Sequence, residues 1–162
     1  MIDQTVGEYT DVIHECKALF EKKTKDYGTA WRILRLPSIT DQIFKKAQRI
    51  RSIQEKGIQK IDEGIINEFV GIINYCIIAI LQVRLGDDER TEIPYVDLEP
   101  LYDEVVQDTL NLLKNKNHDY GEAWRDMRVS SITDIILMKL LRVKQIEDNE
   151  GKTLVSEGIE AN

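Results

Sequence analysis

The stretch Asp26-Tyr27-Gly28-Thr29-Ala30-Trp31-Arg32 returns as Asp119-Tyr120-Gly121-Glu122-Ala123-Trp124-Arg125 with a single change. The register then holds: Arg35 aligns with Arg128 and Ser38-Ile39-Thr40-Asp41 with Ser131-Ile132-Thr133-Asp134. Ile43, Lys46, Arg49 and Ile53 follow with Ile136, Lys139, Arg142 and Ile146. Roughly half of the aligned positions are identical, which makes the chain a tandem duplication. Each copy must then fold to the same unit, and each can be compared with the other.

Both copies have the three- and four-residue apolar steps of amphipathic helices. Tyr9, Val12, Ile13, Cys16, Leu19 and Phe20 predict a first helix over 5–23, followed by a loop over 24–37. Ser38 with Asp41 reads as an N-cap and an acidic N3. The helix they open should end at Gly57. A third helix, from about Asp62 to Leu85, is apolar around most of its circumference and is expected to be the most buried. Residues 99–116 repeat helix one, and residues 132–148 repeat helix two. Ser156-Glu157-Gly158-Ile159 matches Asp62-Glu63-Gly64-Ile65 after one inserted residue. The second copy of helix three is therefore begun and not finished, and the native chain is expected to continue past Asn162. The expected fold is all-α: a helical bundle of two tandem three-helix repeats, the second incomplete at its C-terminus. A first repeat over 1–86, a linker over 87–97 carrying Pro94, and a second repeat over 98–162 together make one compact domain.

A net charge of -7 argues against general nucleic-acid coating, although a small anion held by a few cations fits. Cys16 and Cys76 lie in apolar helical patterns without CxxC spacing, and read as buried free thiols. Met1 to Thr10 has neither the basic start nor the apolar core of a signal peptide. The most apolar run, Phe69 to Val83, is interrupted by Asn74 and falls short of the roughly 18–20 residues a bilayer span needs. No membrane partner and a cytoplasmic location are expected.

Three groups could carry chemistry. Lys46 falls in the middle of the stripe Ile39, Ile43, Ile50, Ile53, and Lys139 in the middle of Ile132, Ile136, Val143, Ile146. Arg49 and Arg142 flank them one turn on. A lysine facing a core needs a counter-charge or a route to water. Two readings stay open: an ion pair with a carboxylate of helix three, or an anion site. On helix three, Glu63, Asn67 and Asn74 form a polar row, with Glu63 placed to meet Lys46 and Glu68 near the row's edge. In the loops, Gly28 and Gly121 fit positive φ or close backbone approach. Tyr27, Trp31, Tyr120 and Trp124 stand beside arginines, which suits either a base and phosphate or a loop folded back on the bundle.

The order DYGxAW, a KxxR helix, then E-G-I followed by N-Y in an apolar helix resembles the nucleotide modification associated domain 1 family. Both halves match. The resemblance carries over to Asp26, Tyr27, Gly28, Lys46, Arg49, Glu63, Asn74 and Tyr75, and to Asp119, Tyr120, Gly121, Lys139, Arg142 and Glu157. It implies a link to nucleotide or DNA-base modification. A more distant likeness is to MazG-like all-α NTP pyrophosphatases, which use Mg²⁺ held by clustered carboxylates. The family pattern has acids at the positions of Asn67 and Gly71, which this chain lacks.

The resulting expectation is a nucleotide-binding protein, with Mg²⁺-dependent nucleotide pyrophosphohydrolysis as its catalytic version. Lys46, Arg49, Lys139 and Arg142 would bind phosphates, with Asp26, Gly28, Asn74, Asp119 and Gly121 also at the ligand. Tyr27, Trp31, Tyr120 and Trp124 would line the base, and Glu63 and Glu157 would hold metal or orient the lysines. The alternative is a non-catalytic helical interaction module. Homodimerisation through an uncovered surface is a further expectation.

Overall fold

The computed structural model describes residues 2–57, 64–154 and 157–162, with Ile2 by its backbone only. Among the described residues there are helices and no strand: α1 (Ile2–Tyr27), α2 (Leu36–Lys56), α3 (Ile65–Leu85), α4 (Tyr95–Tyr120) and α5 (Val129–Asp148). Two short 3₁₀ turns, Ala30–Ile33 and Ala123–Asp126, hold the Trp-Arg ends of the duplicated heptads. The chain is all-α, as the apolar periodicity predicts.

It forms two compact units, each drawing on both repeats. The first comprises Met1–Ile33 and Ile80–Asp126, the second Leu34–Ala79 and Met127–Asn162. Equivalent elements pair: α1 packs with α4 in the first unit, and α2 with α5 in the second.

In the first unit the core is Cys16, Phe20, Leu81, Ile93, Leu98, Tyr102 and Val105. The Phe20 and Tyr102 rings lie 4.8 Å apart, and the Tyr9 hydroxyl donates to the Val106 carbonyl at 2.8 Å. The helices run further than the sequence suggests. α1 continues to Tyr27, so the start of the expected 24–37 loop is helix. Gly28, at φ +62°, ends it by donating its N–H to the Thr24 carbonyl at 2.8 Å. A left-handed glycine closes a helix because it alone takes that conformation without Cβ strain.

In the second unit α2 and α5 each start two residues before the serine that the capping pattern selects. The N-cap positions are Arg35 and Arg128, and neither makes a side-chain cap bond. Pro37 fits the first turn of α2, where its missing N–H costs nothing, although α5 starts at the equivalent place with Ser130 there. Gly57 stops α2 as expected, at φ +64°.

α2 is buried on two flanks, through Ile39, Ile43 and Ile50 and through Thr40 and Ala47. α5 is buried through Thr133, Leu137, Leu140, Val143 and Ile146, while Ile132 and Ile136, equivalents of buried Ile39 and Ile43, are only half-buried. The α2–α5 seam repeats itself about a pseudo-twofold. Arg51 meets Asp134 at 3.7 Å, and their equivalents, Lys144 and Asp41, meet at 3.1 Å.

Among the described residues α3 is the most buried helix of its repeat, as its composition implied, through Glu68, Ile72, Asn74, Ile77, Ile78 and Leu81. It is long and apolar enough to cross a membrane by length and composition alone, a test the core helix of a soluble protein also passes, and a third of its most apolar window is buried. Cys76 and Ile66 are exposed, contrary to the expectation of two buried thiols, whereas Cys16 is buried. A helix that is apolar all round carries no signal of which side its neighbours take.

Candidate functional site: cation pairs repeated on two helices

Lys46 and Arg49 project one turn apart from α2, and both reach the same carboxylate. Glu68 Oε2 is 3.6 Å from Lys46 Nζ, and Glu68 Oε1 is 2.5 Å from Arg49 Nη1. Glu68 is buried, at 6% exposure, whereas the two cations are about a quarter exposed. Among the described residues the counter-charge is Glu68; Glu63, which the polar row suggested, lies outside them. Two charge-assisted contacts offset the desolvation of a buried carboxylate.

The path of Lys46 depends on Gly71. A Cβ at that position would stand 2.9 Å from Lys46 Cε and 3.1 Å from its Nζ. The lysine stem therefore crosses α3 at the notch this glycine leaves. Its ammonium ends 5.9 Å from the centroid of the Tyr75 ring, within cation–π range. Glu68, Gly71 and Tyr75, at i, i+3 and i+7, make one face of α3. That face replaces the row expected from the sequence: Asn67 is exposed, and Asn74 is buried with bonding of its own.

In the second repeat Lys139 and Arg142 occupy the equivalent positions on α5. Both meet the side-chain oxygen of Asn162, at 3.5 and 3.4 Å. Continuing the match from Glu63 and Glu157 makes Asn162 the counterpart of Glu68. The Asn162 amide nitrogen donates to the Glu157 and Gly158 carbonyls at 3.0 and 2.8 Å, which turns its oxygen to the cations.

The DYGxAW loops belong to the first unit. Each is tied to the start of the other repeat's first helix or the chain just before it. The Thr29 hydroxyl donates to the Thr91 carbonyl at 2.8 Å and accepts from the Ile93 N–H at 3.0 Å, while the Thr29 N–H donates to Glu92 at 3.2 Å. Arg32 donates to the Arg90 carbonyl at 2.9 Å and also to Gln82 and the Asp88 carbonyl. In the second loop Glu122 accepts from the Thr5 hydroxyl, and Arg125 meets Glu8 at 2.8 Å. The Thr5 bond foremost, with Arg125 beside it, holds the Glu122 carboxyl below its usual range. Arg32 and Arg125 are thus committed to anchoring. Tyr27 and Tyr120 point outward, at 74% and 79% exposure, and Asp26 and Asp119 are exposed beside them. Trp31 is half-buried, and Trp124 is anchored through Nε1 to Asn117 at 3.3 Å.

The expected base-lining residues and Gly28 and Gly121 therefore belong to one unit, and the cations with Asn74 to the other. Glu157 is exposed, and among the described residues no cluster of three or more Asp, Glu, His or Cys could hold a metal ion. Glu68 is directed at two cations. The described donor set does not fit Mg²⁺, which favours several oxygen ligands including carboxylates.

These features define a duplicated all-α protein with paired cations set on its paired helices. A family model described as nucleotide modification associated domain 1 matches residues 23–83 and 116–162, two thirds of the chain, and the chain belongs to that family. The two matched segments begin at equivalent positions of the two repeats. No curated protein and no solved structure matches the chain, so the likeness to MazG-like pyrophosphatases rests on sequence pattern alone.

Proposed function

We propose that this chain binds a nucleotide through its phosphate, within the nucleotide-modification setting of its family. The observation that carries the reading is the repeated Lys-x-x-Arg pair, each converging on one polar side chain. Guanidinium and ammonium groups held one turn apart suit an oxyanion, the first by its planar donor fork and the second as a point charge. The test is thermal unfolding against ribo- and deoxynucleotides, with and without Mg²⁺. A ligand at about a hundred times its dissociation constant stabilises by about 2.7 kcal/mol, a visible shift. No shift with any nucleotide at millimolar concentration would defeat the reading. The catalytic version, Mg²⁺-dependent pyrophosphohydrolysis, additionally requires release of phosphate or pyrophosphate.

A second reading, a non-catalytic helical interaction module, draws on the committed loops. Arg32 and Arg125 are engaged by their own unit, and Glu68 already answers Lys46 and Arg49. A flat nucleotide panel would favour this alternative.

A further inference from the structure

We infer that the two cation pairs have divided their roles: Lys139 and Arg142 take an external phosphate-type oxyanion, whereas Lys46 and Arg49 are occupied by the protein's own Glu68. The inference deepens the nucleotide reading and rests on it for the choice of phosphate as the anion.

The two equivalent sites differ in the acceptor that faces their cations. In the first, two cations meet one buried carboxylate. In the second, the same two cations meet a neutral amide oxygen in place of a side-chain carboxylate. Among the described residues no Asp or Glu side chain forms an ion pair with Lys139 or Arg142. The contacts they do have, at 3.5 and 3.4 Å, are at the long end for hydrogen bonds.

Two like charges directed at one neutral acceptor repel each other, and an arriving oxyanion relieves that repulsion. The acceptor that substitutes for Glu68 is also fixed in place. Asn162 Nδ2 is held by two backbone carbonyls, so rotating the amide would bring N–H groups against the cations and give up both bonds. The second site thus keeps the donors of the first without its side-chain carboxylate. Arg142 has five N–H donors and Lys139 three, and each uses one on Asn162. The remaining donors suit the several oxygens of a phosphate monoester or diphosphate better than the two of a carboxylate.

The test exchanges the two acceptors. Inorganic pyrophosphate, free of any nucleoside, is titrated into the 162-residue chain by calorimetry at fixed low salt. Lys139→Met, Arg142→Gln and Asn162→Glu should each weaken binding by about tenfold or more, a loss of about 1.4 kcal/mol. Lys46→Met should change it by less than about threefold. Asn162→Glu recreates an arrangement the first repeat already folds around, so loss of structure is not its expected failure, and circular dichroism checks this. Glu68→Asn should add a second pyrophosphate site where that variant folds. Pyrophosphate binding that survives Asn162→Glu, that disappears in Lys46→Met, or that is absent from the parent chain overturns the inference. Nucleotide binding that ignores Asn162→Glu would leave the nucleotide reading standing and remove this one. Pyrophosphate binding with the stated pattern, and no nucleotide binding, would do the reverse.

Discussion

The Gln54 amide nitrogen donates to the Thr133 hydroxyl at 3.1 Å across the α2–α5 seam. The pseudo-twofold puts Glu147 and Thr40 in the same relation, with a carboxyl where the amide was. Both threonine protons are already given to the backbone, Thr133 to Val129 and Thr40 to Leu36, each at 3.1 Å. While it donates to the backbone the hydroxyl oxygen accepts from the group facing it, and turning to a carboxylate would give up that backbone bond. An amide donates at any pH, a carboxyl only when protonated. Accordingly, both Glu147 oxygens are buried without a hydrogen-bond partner in the described residues. Glu147→Gln should stabilise the protein at pH 7 by about 0.5–1.5 kcal/mol, the usual net worth of a neutral hydrogen bond, read as a rise in unfolding midpoint. An unchanged or lower midpoint refutes this.

The same residue sets a pH dependence. Burial raises the Glu147 carboxyl above its usual value of 4.5, and Asp41 and Asp148 add to this. Thr40 and Lys144 oppose it, but Lys144 is engaged by Asp41 and stands over the Phe44 ring. A raised folded pKa means that the folded state holds the proton more tightly than the unfolded chain. The contribution is therefore full below 4.5 and is lost as pH rises through the folded value. The gap between Glu147→Gln and the parent should widen over that window on going up in pH. Parallel stability curves across it would show that Glu147 titrates normally.

What the sequence reveals and what it conceals divide along a physical line. Helix periodicity, the duplication and the lysines on the apolar stripes follow from spacing along one chain, and all can be read there. Glu68 is harder to pick, because α3 is apolar around its circumference and a helical wheel does not say which side meets α2. Gly71 is the signal that points to it. A glycine inside such a helix implies close approach by another group, and here the group is the Lys46 stem. Asn162 as the counterpart of Glu68 follows from running the repeat alignment five residues beyond Glu157. The Thr29 and Glu122 anchors depend on contacts with chain far away in sequence, which no local pattern encodes.

Removing Glu68 should be far more damaging than removing Lys46. Glu68→Ala leaves two partly buried cations facing each other, which costs about 3–5 kcal/mol. Lys46→Met leaves Glu68 with Arg49 at 2.5 Å and costs about 1 kcal/mol or less. Urea unfolding of the two variants gives the comparison. Equal losses would mean that Lys46, not Arg49, carries the pair.

Gly71 and Lys46 should be coupled. In an open helix interior, Gly to Ala gains about 1 kcal/mol. At Gly71 the added methyl would press on the lysine stem at 2.9–3.1 Å and displace the ammonium from Glu68 and Tyr75. Gly71→Ala should therefore stabilise little or not at all in the parent. In Lys46→Ala, which removes the stem that the methyl would meet, more of the helix gain should return. Stabilities that add without a coupling energy would mean that the notch does not position the lysine.

The two loop glycines should respond differently to the same pair of changes. Both sit at positive φ, +62° at Gly28 and +67° at Gly121, so alanine is strained at either, by about 1 kcal/mol or more. Only Gly28 has a neighbour in the way: its Cβ would meet the Glu92 carboxylate, with Glu92 Oε1 at 2.9 Å. Gly121 faces open space. Glu92→Ala should consequently recover part of the loss in Gly28→Ala, even though it removes the acceptor of the Thr29 N–H. It should recover nothing in Gly121→Ala. Thermal unfolding of the two double variants against their singles measures this, and equal recovery at both glycines would place the Glu92 effect elsewhere in the first unit.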